Sequence, residues 1–403
     1  MPISVVPYIP TYITVHLGTP SSSAENVTVP FIDYIKNVAS SEIYPTWHYS
    51  SLRANILAQV SFALNRVYTE FYPSQGYDFN ITSTTAYDQR FIKDRTIFDS
   101  VSQLVDELFD DYIRREGYVE PLSAKFCNGT TAQCDGLSQW GSEYLAQEGT
   151  NSMDILRTYY GDDIELVVNA PIQDIQYSYP GTAMRRGERS PDIRIAQFML
   201  NRISQAYPAI PKIPIVDGFF GPQTEAAVRQ FQKIFNLTSD GIIGKGTWYT
   251  MVRLYSGLLR LSELVSEGQP LSQLNFDYEE FLSYGQQSQR VAFLQSLLSV
   301  LSQFYTNIPF VTIDGVYGPA TRQAVMALQR DAGLPQTGSV SEATWDAIVE
   351  RFLSIDRTVL ASAGLTPFRS SLSGELTPEE IQESLALHPN QFPGRNLEYG
   401  QTD

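Results

Sequence analysis

The chain has 403 residues and a formal charge of −16, with 43% hydrophobic and 18% charged residues. That length exceeds what one core organises and implies roughly two to four domains, while the acidic balance without any Lys/Arg cluster excludes a phosphate-backbone partner and disfavours anionic membranes. The 24 Tyr and 21 Phe leave much of the surface neutral and aromatic, which suits uncharged, hydroxyl-rich ligands.

No apolar run approaches the roughly 18 residues of a membrane span. The opening "MPISVVPYIPTYITVHLG" has no basic n-region, so no secretion signal is expected. Strand-like "TYITVHL" and "ENVTVPFIDYI" follow, then "FIDYIKNVASSEIYP" as a helix ending on Glu42, and "SSLRANILAQVSFALNRVYTEFY" as a long amphipathic helix. Mixed α/β is the expected class for the N-terminal part, residues 1–175. Ile43, Tyr44 and Trp47 beside Glu42 predict a buried carboxyl with a raised pKa, suited to proton donation. "STTAYDQRF" adds Asp88 and Gln89 on a polar segment.

Cys127 and Cys134 in "FCNGTTAQCDG" are too few for a disulfide framework, which leaves a local disulfide, free thiols or a metal site open. Histidine occurs only at His16, His48 and His388, none near the cysteines in sequence, so no metal and no cofactor is expected. In "CDGLSQWGSEYLAQEGTNSMDILRTYYGDD", Gly136 and Gly141 let backbone approach a ligand, while Ser138, Gln139 and Trp140 offer hydrogen bonds and an aromatic face. That combination predicts one wall of a saccharide cleft.

A repeat follows. "VDGFFGPQTEAAVRQFQ" returns as "IDGVYGPATRQAVMALQ", with Asp217 and Asp314, Thr224 and Thr321, Gln232 and Gln329, and Trp248 and Trp345 each 97 residues apart. Gly187 and Gly285, and Gln197 and Gln295, stand 98 apart, one extra residue in the first copy. Each copy, 178–260 and 284–353, reads as three short helices, the second opening after an Asp-Gly turn with Pro222 or Pro319 in its first turn and the third entered through Thr-Trp. Trp248 and Trp345 are expected to fill the core, and Phe219, Phe220, Val316 and Tyr317 to line a ligand groove. Residues 261–283 are expected as a helical linker. The tail 354–403 turns polar, has a helix-start signal in "LTPEEIQES", and ends in "QFPGRNLEYGQTD". There Pro393-Gly394 and Gly400 match Pro180-Gly181 and Gly187 at a separation of 213, so the tail is read as a vestige or the start of a third module.

With these motifs in view, both repeats resemble the peptidoglycan-binding domain that targets many bacterial enzymes to the cell wall. The N-terminal segments resemble the stage II sporulation protein D/LytB family, whose sporulation members are lytic transglycosylases and whose LytB members are described as amidase enhancers. The resemblance implies an α+β multidomain protein: a catalytic domain followed by two wall-binding modules. Glu42 corresponds to the family's acidic residue, Gln89 to a polar substrate position, and Tyr159 with Tyr160 to its paired tyrosines. The combination also resembles spore cortex-lytic enzymes.

The resemblance implies cleavage of the glycan bond between muramic acid and glucosamine to give 1,6-anhydro ends. Glycan strands are the implied partner, with a protein partner in the spore envelope as an addition. The implied location is the spore envelope or cell wall, reached from the mother-cell cytoplasm. Asp88 is expected to orient substrate or hold a loop. Many relatives carry an Ala-Arg-Thr-Tyr run where this chain has "QVSFAL" with Val60, so one cationic contact is missing. Two alternatives accompany this reading: a non-catalytic wall-binding or spore-structural protein, and an amidase enhancer.

Overall fold

The computed structural model describes residues 7–269, 281–362, 368–370 and 374–376. It is mixed α and β, with eleven α-helices and small sheets among those residues. In chain order the N-terminal body holds β1 (Ile9–Pro10), β2 (Tyr12–His16), β3 (Asn26–Pro30), α1 (Phe31–Glu42), α2 (Tyr49–Tyr68), β4 (Ile81–Thr82) and α3 (Asp99–Leu108). Next come β5 (Tyr112–Arg115), β6 (Phe126–Cys127), β7 (Leu137–Ser138), α4 (Gln139–Gln147), α5 (Ser152–Tyr160), β8 (Ile164–Val167) and β9 (Ile172–Gln173).

The body is organised around α2. From Ala54 onward every residue of this helix is buried, because α1, α3, α4 and α5 all pack on it. Neighbouring elements meet some of its buried polar groups: Asn55 donates to Ser142 Oγ at 2.8 Å and Ser61 Oγ accepts from Ile113 N at 2.9 Å. β2 sits between antiparallel β3 and parallel β4. Pro30 closes β3 and opens α1, since its missing N–H costs a helix start nothing. "FIDYI" is therefore helix and not a continuation of the strand. β6 pairs in parallel with β7, and a disulfide joins Cys127 to Cys134 across the intervening loop.

The first repeat contains α6 (Pro191–Ala206), α7 (Pro222–Ile234) and α8 (Lys245–Leu259); the second contains α9 (Gln289–Phe304), α10 (Pro319–Asp331) and α11 (Glu342–Ser362). Each has its own hydrophobic cluster, around Trp248 and Trp345 respectively, separate from that of the N-terminal body. α11 runs past the point where the sequence turns polar. The tail motifs "LTPEEIQES", apart from its first residue, and "QFPGRNLEYGQTD", together with His388, lie outside the described residues.

A buried glutamine clasp recurs four times. Gln197 accepts from Gly218 N at 2.9 Å and donates to Phe219 O and Thr224 Oγ1. Gln232 does the same with Gly241 N, Ile242 O and Thr247 Oγ1. Gln295 and Gln329 repeat the arrangement at Gly315 and Gly338. In each case a glutamine on one helix holds the turn that starts the next. The glycines are needed because all four adopt φ between 66° and 73°.

Residues 261–269 are turns, bends and irregular chain, not the helix expected for the linker; residues 270–280 lie outside the described set. This stretch is held down by polar contacts to the N-terminal body, which a free helix would lack. Asn65 donates to Leu261 O at 2.7 Å, Tyr68 to Gln269 Oε1 at 2.9 Å, and Gln269 N to Glu120 Oε2 at 2.9 Å.

Candidate functional site

Glu42 is the last residue of α1 and is half-buried. Its Oε1 accepts from Arg90 N at 2.9 Å, and its Oε2 lies 3.5 Å from the Gln139 side-chain amide. Burial pushes its carboxyl above the usual glutamate range, while the Arg90 N–H and the Gln139 amide pull it partly back. The structure thus brings Gln139, at the first position of α4, onto the same carboxyl that the sequence singled out.

An aromatic group adjoins this contact. Trp47, buried, meets Trp140 edge-on at 5.0 Å, and Tyr44 lies 5.7 Å from each of them. Trp140, next in sequence to Gln139, is 44% exposed. Tyr44 entered the sequence reading only as part of the burial of Glu42; Tyr144, one turn beyond Trp140, was missed, though the four-residue spacing on a helix was there to be read.

Other expected contacts turn inward. Gln89 is fully buried: its Oε1 accepts from Tyr34 OH at 2.9 Å and its Nε2 donates to Gln59 O at 3.0 Å, so both ends are spent inside the protein. Asp88 is equally enclosed, ion-paired with Arg66 at 2.8 Å and accepting from Thr82 N and Oγ1 and from Tyr72 OH. It holds a loop and has no face left for substrate.

Ser138 caps α4 by accepting from Gly141 N at 3.0 Å and also hydrogen-bonds Tyr159. The two glycines serve the protein's own packing. A Cβ on Gly141 would stand 2.1 Å from the Tyr159 hydroxyl oxygen, and one on Gly136 would stand 2.1 Å from Lys125 O. They admit neighbouring chain, where a ligand was expected. Val60 is buried in α2.

In the repeats, Phe219 and Val316 are each 39% exposed at equivalent turns, whereas Phe220 and Tyr317 are fully buried. The latter two are core residues, because alternate side chains of the short bridge segment point to opposite sides. Among the described residues no three His, Cys, Asp or Glu side chains cluster as a metal site. No helix among them is long and apolar enough to cross a membrane.

Residues 189–251 and 287–348 each match the family model described as "Putative peptidoglycan binding domain". A 78-residue stretch is 33% identical to the zinc D-Ala-D-Ala carboxypeptidase of Streptomyces albus G, covering 19% of this chain and 29% of that protein. A 35-residue stretch is 57% identical to an uncharacterized protein in the bpoA1 3' region of Kitasatospora aureofaciens, covering 9% of this chain and 30% of that protein. The chain thus spans about 30% of the length of these relatives. It carries two repeats of the peptidoglycan-binding domain, which associates it with the cell wall.

Proposed function

We propose that the chain is a peptidoglycan lytic transglycosylase, with Glu42 as its single acid/base and the two repeats as its anchors on the insoluble wall. The observation that carries this reading is Glu42 itself: a half-buried carboxyl of raised pKa, met by the Arg90 N–H and the Gln139 side-chain amide. Protonated Glu42 donates to the glycosidic oxygen between muramic acid and glucosamine as the C1–O bond breaks. The resulting carboxylate then takes the proton of the muramic C6 hydroxyl as that oxygen bonds C1, closing a 1,6-anhydro ring and restoring the acid. A hydrolase would need a second carboxylate for water or a covalent intermediate, and Asp88 is already committed to Arg66, Thr82 and Tyr72. Spore cortex or vegetative wall is the substrate form this reading assigns.

Mass spectrometry of muropeptides released from purified peptidoglycan tests it. We expect 1,6-anhydro ends from the natural protein and none from Glu42→Gln, with sedimentation on wall unchanged. Near-wild-type turnover by Glu42→Gln overturns the assignment. Buried Val60, where many members of the resembled family carry arginine, favours a second reading as a non-catalytic wall-binding protein or amidase enhancer. Absence of any released muropeptide with intact wall binding would select it.

A further inference from the structure

Trp140 and Tyr144 lie one turn apart on α4, hence on one face of the helix. Neither is absorbed by the core: Tyr144 is 64% exposed and Tyr44, beside Trp140, is 57% exposed. Trp140 directly follows Gln139, whose amide meets Glu42, and Tyr44 lies two residues beyond Glu42. The helix beneath them is fixed. Ser142 bonds Ser51 and Asn55, and buried Glu143 accepts from His48 N at 2.8 Å and from Gln147. Glu143, the acidic residue between the two rings in sequence, is thus turned inward and engaged. The exposed face is aromatic, uncharged at its rings and rigidly backed.

Solvent-facing aromatic groups on a rigid helix mark a binding surface. The same chain points to a glycan as their occupant: it carries two repeats of a peptidoglycan-binding domain, Tyr44 and Trp140 touch each other, and they flank in sequence the Glu42 and Gln139 that meet at the site. We propose that Tyr44, Trp140 and Tyr144 form a stacking rail for a glycan strand, so that the site grips several successive sugars beyond the bond presented to Glu42. This deepens the reading of the Glu42 site as glycan-cleaving and rests on it. Each sugar ring offers a C–H face to a side-chain ring while its hydroxyls remain in water. Tyr144 serves the sugar farther from Glu42.

The test uses the full chain carrying Glu42→Gln, titrated with peptide-free peptidoglycan glycans of two, four and six sugars. The signal is tryptophan fluorescence, which reports the rail because the other three tryptophans, Trp47, Trp248 and Trp345, are buried; Trp140→Phe verifies the source. We expect affinity to rise at least about tenfold from two sugars to six. Tyr144→Ala should remove most of that gain, roughly fivefold or more, and leave the disaccharide unchanged, while Tyr144→Phe retains it. Length-independent binding overturns the rail, as does an equal loss for every length. So does a change in sedimentation coefficient on Tyr144→Ala, which would mark the rings as a contact between copies. Length-dependent binding without anhydro ends from the natural protein defeats the enzymatic reading and leaves the rail standing; anhydro ends with length-independent binding do the reverse.

Discussion

Trp248, in the core of the first repeat, and Glu70, just beyond α2, are joined through one serine. The indole Nε1 donates to Ser178 Oγ at 2.8 Å, and Ser178 in turn donates its N–H to Glu70 Oε1 at 2.7 Å and its hydroxyl to Oε2. All three residues are buried. Glu70 holds a left-handed backbone, φ 48°, which a non-glycine residue adopts at a cost. Glu70→Ala removes the acceptor that keeps it there and strands two donors. It is expected to lower stability by about 2–3 kcal/mol and to speed exchange of the Trp248 indole proton. Unchanged exchange would show that Ser178 alone suffices.

The pH dependence of Glu42 has a fixed sign. In the proposed cleavage the first step needs the protonated acid, and burial raises its pKa above the ordinary 4.5. Catalytic efficiency should therefore persist above pH 4.5 and fall as pH climbs through the raised value. Glu42→Gln is expected to lower turnover by about 10³-fold. An alkaline limb at or below pH 4.5 would assign that ionisation to another group.

Glu120 provides a second titration, at the junction of the N-terminal body with residues 261–269. Burial lifts its carboxyl from 4.5 to about 7, against acceptance from Gln269 N and Ser266 Oγ and the nearby Arg114. Arg114 is ion-paired with Glu165, and Tyr68 and Tyr255 are pushed further from ionising, the latter to about 12. The folded pKa exceeds the unfolded one, so the stabilisation is complete below pH 4.5 and is lost as pH rises through about 7. The loss is up to about 3 kcal/mol. Urea titrations of the natural protein and Glu120→Gln at pH 5 and pH 8 check this: the difference between the two pH values should shrink in the variant.

Reduction of the Cys127–Cys134 bridge frees the loop whose Asn128 carbonyl accepts from Trp140 N at 3.2 Å. Replacing both cysteines with serine is expected to cost about 2 kcal/mol through loop entropy, read as a lower thermal midpoint. Quenching of Trp140 fluorescence by acrylamide should rise with it.

The glutamine clasps predict large effects from small changes. Gln232→Ala leaves Gly241 N–H and Thr247 Oγ1 without their partner, and is expected to destabilise the first repeat by about 2–3 kcal/mol. Gln223→Ala, exposed on the same helix, should be close to neutral. Comparable midpoints for the two variants in chemical denaturation would refute a structural role for the clasp.

Much of this was legible in the residues. Spacing alone located the repeats, because a 97-residue register of Asp, Gly, Thr and Trp leaves little freedom, and Trp248 and Trp345 lie in the cores where large apolar side chains belong. A further signal went unread: "DGFFGPQT" and "DGIIGKGT" within one repeat share D-G-x-x-G-x-x-T, of which the clasps use the first glycine N–H and the threonine hydroxyl. Gln89 misled as a substrate contact, and Asp88 keeps only the loop-holding half of its expected role, because a polar residue announces a hydrogen bond but not its partner, and α2 is enclosed so fully that these bonds fall inside. Gly136 and Gly141 misled for the same reason. Their missing Cβ atoms make room, and only the fold shows that Lys125 and Tyr159 occupy it.

The docking of residues 261–269 on the N-terminal body sets where the chain can be divided for experiment. A fragment ending near residue 177, the boundary that the repeat pattern suggests, would take a partner from each of Asn65, Tyr68, Glu70 and Glu120 and wet the surface around them. A fragment carried through Gln269 keeps every one of those bonds. Excision at the later point should yield soluble, folded protein that includes the first repeat. Excision at the earlier one should yield protein that aggregates, whatever chemistry Glu42 performs.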